Sequence, residues 1–191
     1  MDAIPHLDDA FAWTTARIAA VPADALDAAT PCADWTVREL LDHTLGSLQV
    51  LTDAIAPVPV AAPSGLEGAA ATGPPAETRG WLGAIAHLAE RNRRAWATPV
   101  PDDRMFELPF GTMTAADVAT GTLVELLVHG WDLGQASGER ADIPDALAVP
   151  TLELARHAIA DAQRGDAFGP ALDLGATPSD RLVAFLGRTP R

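Results

Sequence analysis

The chain has no lysine; all thirteen of its cations are arginine, set against twenty-six acidic residues, for a formal net charge of −13. A surface so acidic argues against nucleic acid and against anionic membrane surfaces as partners. Tyrosine is absent, and there is one cysteine, Cys32. One cysteine excludes an internal disulfide and fits a reducing cytoplasm. No run of ~18 apolar residues is present, so no membrane-spanning helix is expected. The opening MDAIPHLDDA has neither a basic n-region nor an apolar h-region, so no secretory signal is expected. No internal repeat is visible. The 191 residues suit one domain, 1–191, long enough to bury a sizeable core.

What is present is organised around DVATGTLVELLVHGWDL, Asp117–Leu133. Val118, Leu123, Val124, Leu126, Leu127, Val128, Trp131 and Leu133 occupy most directions at ~100° per residue. A helix apolar nearly all round sits inside a fold. Its ionisable groups after Asp117 are Glu125, His129 and Asp132. Glu125 and His129 are i and i+4, stacked on one face, and Asp132 falls there one turn on. Buried, such groups are costly unless satisfied. They can satisfy each other or a distant arginine, or they can hold a metal ion; a third ligand elsewhere decides between these.

Periodicity and caps predict four long helices near 7–20, 36–56, 76–97 and 114–137. The second has the clearest start: Thr36 and Glu39 form a capping box, with Trp35 and Leu40 placed for a hydrophobic staple. His43 lies on the shoulder of its apolar stripe, where it can lean into a seam between helices. Thr114 with Asp117 is a weaker box for the fourth helix. The Pro-, Ala- and Gly-rich stretch 57–75 reads as a mobile surface loop long enough for a lid. Arg91, Arg93 and Arg94 cluster in the last turns of the third helix, where cations favour the dipole. Met105–Leu108 reads as a short extended piece and Phe110-Gly111 as a turn, with no strong strand signal. Residues 144–191 are expected to wrap outside the bundle, with helices near 144–163, interrupted by Pro150, and 179–186.

TPCADWTVRELLDHTLG, then LPFGTM and ELLVHGWDLGQASG, and finally DRLVAFLGR, together resemble the DinB-like superfamily. More narrowly, they resemble its metal-binding actinobacterial branch related to mycothiol-dependent maleylpyruvate isomerase. The resemblance runs over nearly the whole chain. It implies an all-α fold, an antiparallel DinB-like four-helix bundle with additional C-terminal helices. It also implies one divalent metal held by His43, Glu125 and His129, with zinc the first choice on ligand type and nickel or iron the alternatives. In the mycothiol-dependent relatives the metal is thought to bind the cofactor thiolate, which attacks an electrophile. Maleylpyruvate isomerase carries a further C-terminal domain that contributes to its active site. This chain ends soon after its last helix, so the resemblance carries the metal and thiol chemistry and not the substrate.

Three functions follow as expectations. The first is a mycothiol-using transferase or isomerase acting on a small electrophile. The second is a metal-dependent hydrolase that activates water, with Asp132 as base or as orienter of a ligand. The third is a non-catalytic metal-binding protein whose site is closed by a fourth ligand such as Asp132. Arg91 and Arg94 are the places to look for a partner to a carboxylate on cofactor or substrate. Cys32 can be proposed as a nucleophile, but reads more simply as a packing residue. The expected partners are a small-molecule thiol and its substrate, with the protein itself a monomer or homodimer.

Overall fold

The computed structural model describes residues 2–32, 35–56, 74–101, 104–139, 142–159, 164 and 168–190, without the side chains of 74–77. Its elements are α1 (Leu7–Ala20), α2 (Val37–Ile55), α3 (Pro74–Trp96), a hairpin of β1 (Met105–Leu108) and β2 (Gly111–Thr114), α4 (Ala115–Ala136), α5 (Asp145–Ala158) and α6 (Pro178–Phe185). The four long helices start and stop within about two residues of the periodic segments. Among the described residues no helix is long and apolar enough to cross a membrane. The stretch 57–73, read as a loop and lid, lies outside the described residues, as do 160–163 at the end of the segment read as the fifth helix.

Local chemistry fixes the helix starts. Thr36 caps α2: its Oγ1 accepts from the Glu39 N–H at 3.4 Å, and Glu39 Oε2 accepts from the Thr36 N–H at 2.9 Å. Thr114 and Asp117 form the same box on α4, a full one, and Thr177 with Asp180 repeats it on α6. Pro150 lies within α5 without ending it.

The fold is the expected all-α bundle, and its cross-helix bonds give the directions. Trp81 Nε1 donates to Asp42 Oδ1 at 2.9 Å and Asn92 Nδ2 to Thr52 Oγ1 at 3.2 Å, so α2 and α3 run parallel. Thr14 Oγ1 donates to the Leu126 carbonyl at 2.8 Å, and Arg17 pairs with Glu139 at 3.3 Å, so α1 and α4 also run parallel. The antiparallel pairs are α1–α3, where Asp8 meets Arg93 at 3.0 Å, and α2–α4, where Leu51 packs on Gly121 while His43 faces Glu125. Parallel neighbours require the chain to return the length of a helix between them, about 28 Å for the 19 residues of α2.

α4 lies against both α1 and α2, which is why it is apolar nearly all round. Leu123, Leu126, Leu127 and Leu133 have no exposed surface. The C-terminal part does more than wrap the outside: Ile143, Leu147, Ala148, Leu182, Val183 and Leu186 belong to the same buried cluster as the bundle. The hairpin pairs Met105 with Thr114 and Leu108 with Gly111, whose φ of 131° suits glycine. β2 carries no strand pattern because GTMT is four residues long with two exposed and two half-buried positions. β1 buries Phe106 and Leu108 beside Leu51 and Ile55 at the far end of α2.

Two glycines test this packing. A Cβ on Gly130 lies 2.5 Å from Trp13 Cζ3, whereas a Cβ on Gly46 meets nothing within 4 Å. Gly130→Ala should destabilise the fold by about 1–3 kcal/mol through overpacking of the α1–α4 contact. Gly46→Ala should stabilise it by about 1 kcal/mol through helix propensity. Urea unfolding of the two variants against the parent checks both signs.

Candidate metal centre

α4 places Glu125, His129 and Asp132 along one face, and the antiparallel α2 brings His43 across the seam. His129 and Asp132 are buried, at 5 % and 0 % exposure, while Glu125 and His43 are half-buried. Glu125 Oε2 lies 3.3 Å from His129 Nε2 and 3.8 Å from His43 Nε2. Donor atoms of the three residues all fall within 4.8 Å of one another. Glu125 Oε2 is buried and has no hydrogen-bond partner. A buried carboxylate oxygen with two imidazole nitrogens around it but no hydrogen bond is suited to sharing a cation with them. Ligands at ~2.0–2.2 Å from one zinc ion stand roughly 3–3.6 Å apart, close to the two separations measured from Glu125. The donor set therefore fits a divalent ion, with positions left over for water or a substrate.

The other ring nitrogen of His129 is fixed. Nδ1 lies 3.1 Å from Asp132 Oδ2. An ionised carboxylate only accepts, so Nδ1 carries the proton and donates. Asp132 also accepts from Arg188, Nη2 to Oδ2 at 3.0 Å and Nε to Oδ1 at 3.4 Å. This carboxylate–imidazole pair orients the ring with Nε2 toward Glu125, as carboxylates behind metal-ligating histidines do.

The electrostatics follow from the same contacts. Burial pushes the His129 imidazole down, but the Glu125 carboxylate and the bonds to Asp132 outweigh it, raising it to about 9. Burial raises the Glu125 carboxyl, yet His129 and then His43 bring it below its ordinary value. His43 is lowered, chiefly by burial, with Glu125 opposing and His129 adding to the effect. Burial opposes the charge on Arg188, and the Asp132 carboxylate overcomes this and holds the guanidinium's pKa above its usual value.

The loop before α2 closes this end of the seam. An isolated bridge pairs Ala29 with Thr36, and Thr30 Oγ1 donates to the carbonyls of Cys32 and Trp35 at 3.1 and 3.0 Å. Trp35 lies on the His43 ring, centroids 4.1 Å apart, and Ser47 Oγ lies 3.4 Å from His43 Nε2. Beside the cluster is a cavity of about 480 Å³ lined by Ala29, Thr30, Pro31, Trp131, Gln135, Ala136, Gly187, Arg188 and Thr189.

Of the residues singled out from sequence, His43, Glu125 and His129 meet in space, and Asp132 stands directly behind them. Arg91 and Arg94 do not join them. Arg91 pairs with Asp53, ten residues beyond His43 on α2 and so about 15 Å along its axis, and Arg94 pairs with Glu90. The cation that does reach the site, Arg188, was not singled out. It follows Gly187, whose φ is 85°, just past α6, where a sequence reads as a solvated tail. Its signal was the closing DRLVAFLGR segment, which marks the position but not the contact.

In the metal-free protein, the raised His129 value makes stability depend on pH. An imidazole at about 9 in the fold, against 6.5 ordinarily, contributes stability that is fully present below pH 6.5 and is lost as pH rises through about 9. Chelator-treated protein should therefore lose urea resistance across that window. His129→Gln should flatten the loss; an unchanged slope counts against the Glu125–His129–Asp132 coupling.

Comparison with known proteins gives the family. A family model for the mycothiol maleylpyruvate isomerase N-terminal domain matches residues 7–134. Two proteins of Mycobacterium tuberculosis, from strains CDC 1551 / Oshkosh and H37Rv and both described as uncharacterized, are each 34% identical over 188 residues, covering 96% of this chain and 94% of their own length. No solved structure gives a significant match. The matched span contains His43, Glu125, His129 and Asp132, and the chain belongs to the mycothiol maleylpyruvate isomerase N-terminal domain family.

Proposed function

We propose that this protein binds one divalent metal ion, zinc by donor type, through His43, Glu125 and His129. At that ion it uses a low-molecular-weight thiol of the mycothiol kind to transfer to, or isomerise, a small electrophilic substrate. The observation that carries the reading is the convergence of two imidazoles on a buried carboxylate oxygen that has no hydrogen bond. When bound, a divalent ion lowers the pKa of a coordinated thiol or water and polarises a carbonyl. The chain's own residues supply the rest. His43 and His129 present neutral nitrogens once His129 has given up its extra proton. Asp132 and Arg188 hold the His129 ring, and Trp35 walls the His43 side.

The cavity of about 480 Å³ on the Arg188 side of the cluster is within the size range of small-molecule sites, and His43, Glu125 and His129 are not part of its lining. Thiol chemistry needs no nucleophile from the protein. For a hydrolase, Asp132 is the acid–base group the sequence offered. Its two oxygens are engaged by Arg188 and His129, which makes it an orienting group and weakens that alternative.

His129→Ala should abolish stoichiometric zinc in elemental analysis. One tightly bound ion per chain in the triple variant His43→Ala/Glu125→Ala/His129→Ala would place the metal elsewhere. Asp132→Ala should weaken zinc binding by about 10–100-fold in chelator competition, since it frees the ring and leaves Arg188 unpaired.

Thiol binding should release a proton, because a coordinated thiol is deprotonated. Calorimetry of mycothiol into zinc-loaded protein, in two buffers of different ionisation enthalpy, should give heats that differ by that proton. No heat in either buffer, with zinc bound, moves the assignment to the hydrolase or to a non-catalytic metal protein.

A further inference from the structure

The cavity on the Arg188 side of the cluster is lined by polar side chains with bonding capacity left over. Gln135, in the last turn of α4, is 7 % exposed, and Trp131, one turn before it, is 3 % exposed; both line the cavity. Among the described residues no group bonds to the Gln135 side-chain amide or to the Trp131 indole N–H. Buried amides and indoles normally find partners, because burial without one is costly. Trp131 and Gln135 are i and i+4, so the two groups are neighbours on one helix face.

Arg188 joins them. It is 8 % exposed and lines the same cavity. Nε and Nη2 donate to Asp132 and Nη1 to the Leu186 carbonyl, which leaves the guanidinium with N–H donors to spare. From the loop before α2, Thr30 uses its hydroxyl proton on the carbonyls of Cys32 and Trp35, so its oxygen is left as an acceptor.

The balance sets the class of ligand. Donors outnumber acceptors: the indole N–H, the amide NH2 and the rest of the guanidinium stand against the oxygens of Gln135 and Thr30. The group that completes such a set is one that only accepts, and an ionised carboxylate does so. Bonds from arginine to a carboxylate are also stronger than neutral ones. Asp132 already balances the Arg188 charge, so the site suits a single carboxylate rather than a dianion. Pro31 and Ala136 give the cavity apolar wall for a short hydrocarbon body.

We propose that this cavity is a binding site for the carboxylate of a small organic acid, held by Gln135, Trp131 and Arg188. None of the three metal donors lines it, and it stands without the metal reading.

The test uses full-length nitrogen-15-labelled protein, both chelator-treated and zinc-loaded. It is titrated with butyrate and with butyramide, its uncharged isostere. Five tryptophans give five indole N–H resonances, and Trp131→Phe identifies the one in the cavity. Sequential assignment serves if that variant does not fold. Butyrate should shift the Trp131 resonance saturably in both forms of the protein, and butyramide should bind about tenfold more weakly, the worth of one charge-assisted hydrogen bond. Gln135→Leu, close in size, should weaken butyrate by about tenfold for the same reason.

No saturable shift of the Trp131 resonance, equal affinity for butyramide, or a folded Gln135→Leu that binds butyrate as the parent does overturns the proposal. A shift confined to one form of the protein ties the carboxylate to the metal centre rather than to the cavity, and overturns it as well. Failure of the metal reading leaves the titration of chelator-treated protein unaffected.

Discussion

Asp132 has no exposed surface, and its carboxylate must find its donors inside the protein. It finds them in two places: the His129 Nδ1 proton, one turn back on its own helix, and the Arg188 guanidinium beyond α6. Removing any one of the three leaves a buried charge or donor without a partner, which typically costs several kcal/mol. The C-terminal tail is therefore tied to the centre of the bundle by charge as well as by the apolar residues of α6. The same bond turns the His129 ring so that its free nitrogen points at Glu125. Stability of the tail and orientation of the site are one interaction.

That coupling explains the division of labour along α4. The helix is apolar where it meets α1 and carries its ionisable groups where it meets α2 and the tail. Close packing at Gly130 against Trp13 and Thr14 holds α4 on α1, so its other face cannot rotate. A site of a few side chains needs such rigidity, because ligands on separate helices stay in register only while the helices do. α2 contributes one ligand, His43, and the loop before α2 brings Trp35 and Cys32 to the same end. The two ends of the bundle are thus unlike. One holds the buried polar cluster and a cavity; the other is closed by the hairpin, with Phe106 and Leu108 against Leu51 and Ile55.

Much of this was legible before any coordinates. The capping boxes at Thr36 and Thr114, the stripes of α1 to α4 and the Glu125–His129 pair are local features, and local features survive in sequence. Three others did not show in the sequence. Arg91 and Arg94 were reasonable candidates for a carboxylate partner on charge alone, yet Arg91 is spent on Asp53 one seam away from the site. β2 was invisible because a four-residue strand lends itself to no periodicity. Arg188 was invisible because an arginine after a glycine at a chain end looks solvated, and only the fold turns it inward.

By itself the sequence determined which segments are helical, where they start, and that α4 sets two carboxylates, Glu125 and Asp132, and one imidazole, His129, along one face of an otherwise apolar helix. Spacing at 3.6 residues and capping bonds within four residues set these, with no need of distant contacts. Tertiary structure decided the rest: that α2 runs parallel to α3 and antiparallel to α4, that His43 therefore faces Glu125, and that Arg188 rather than Arg91 meets the buried acid. An amphipathic stripe states which face is buried but has no direction along its axis. The partners of a buried charge are settled only by which chain segments the whole core brings within hydrogen-bond reach.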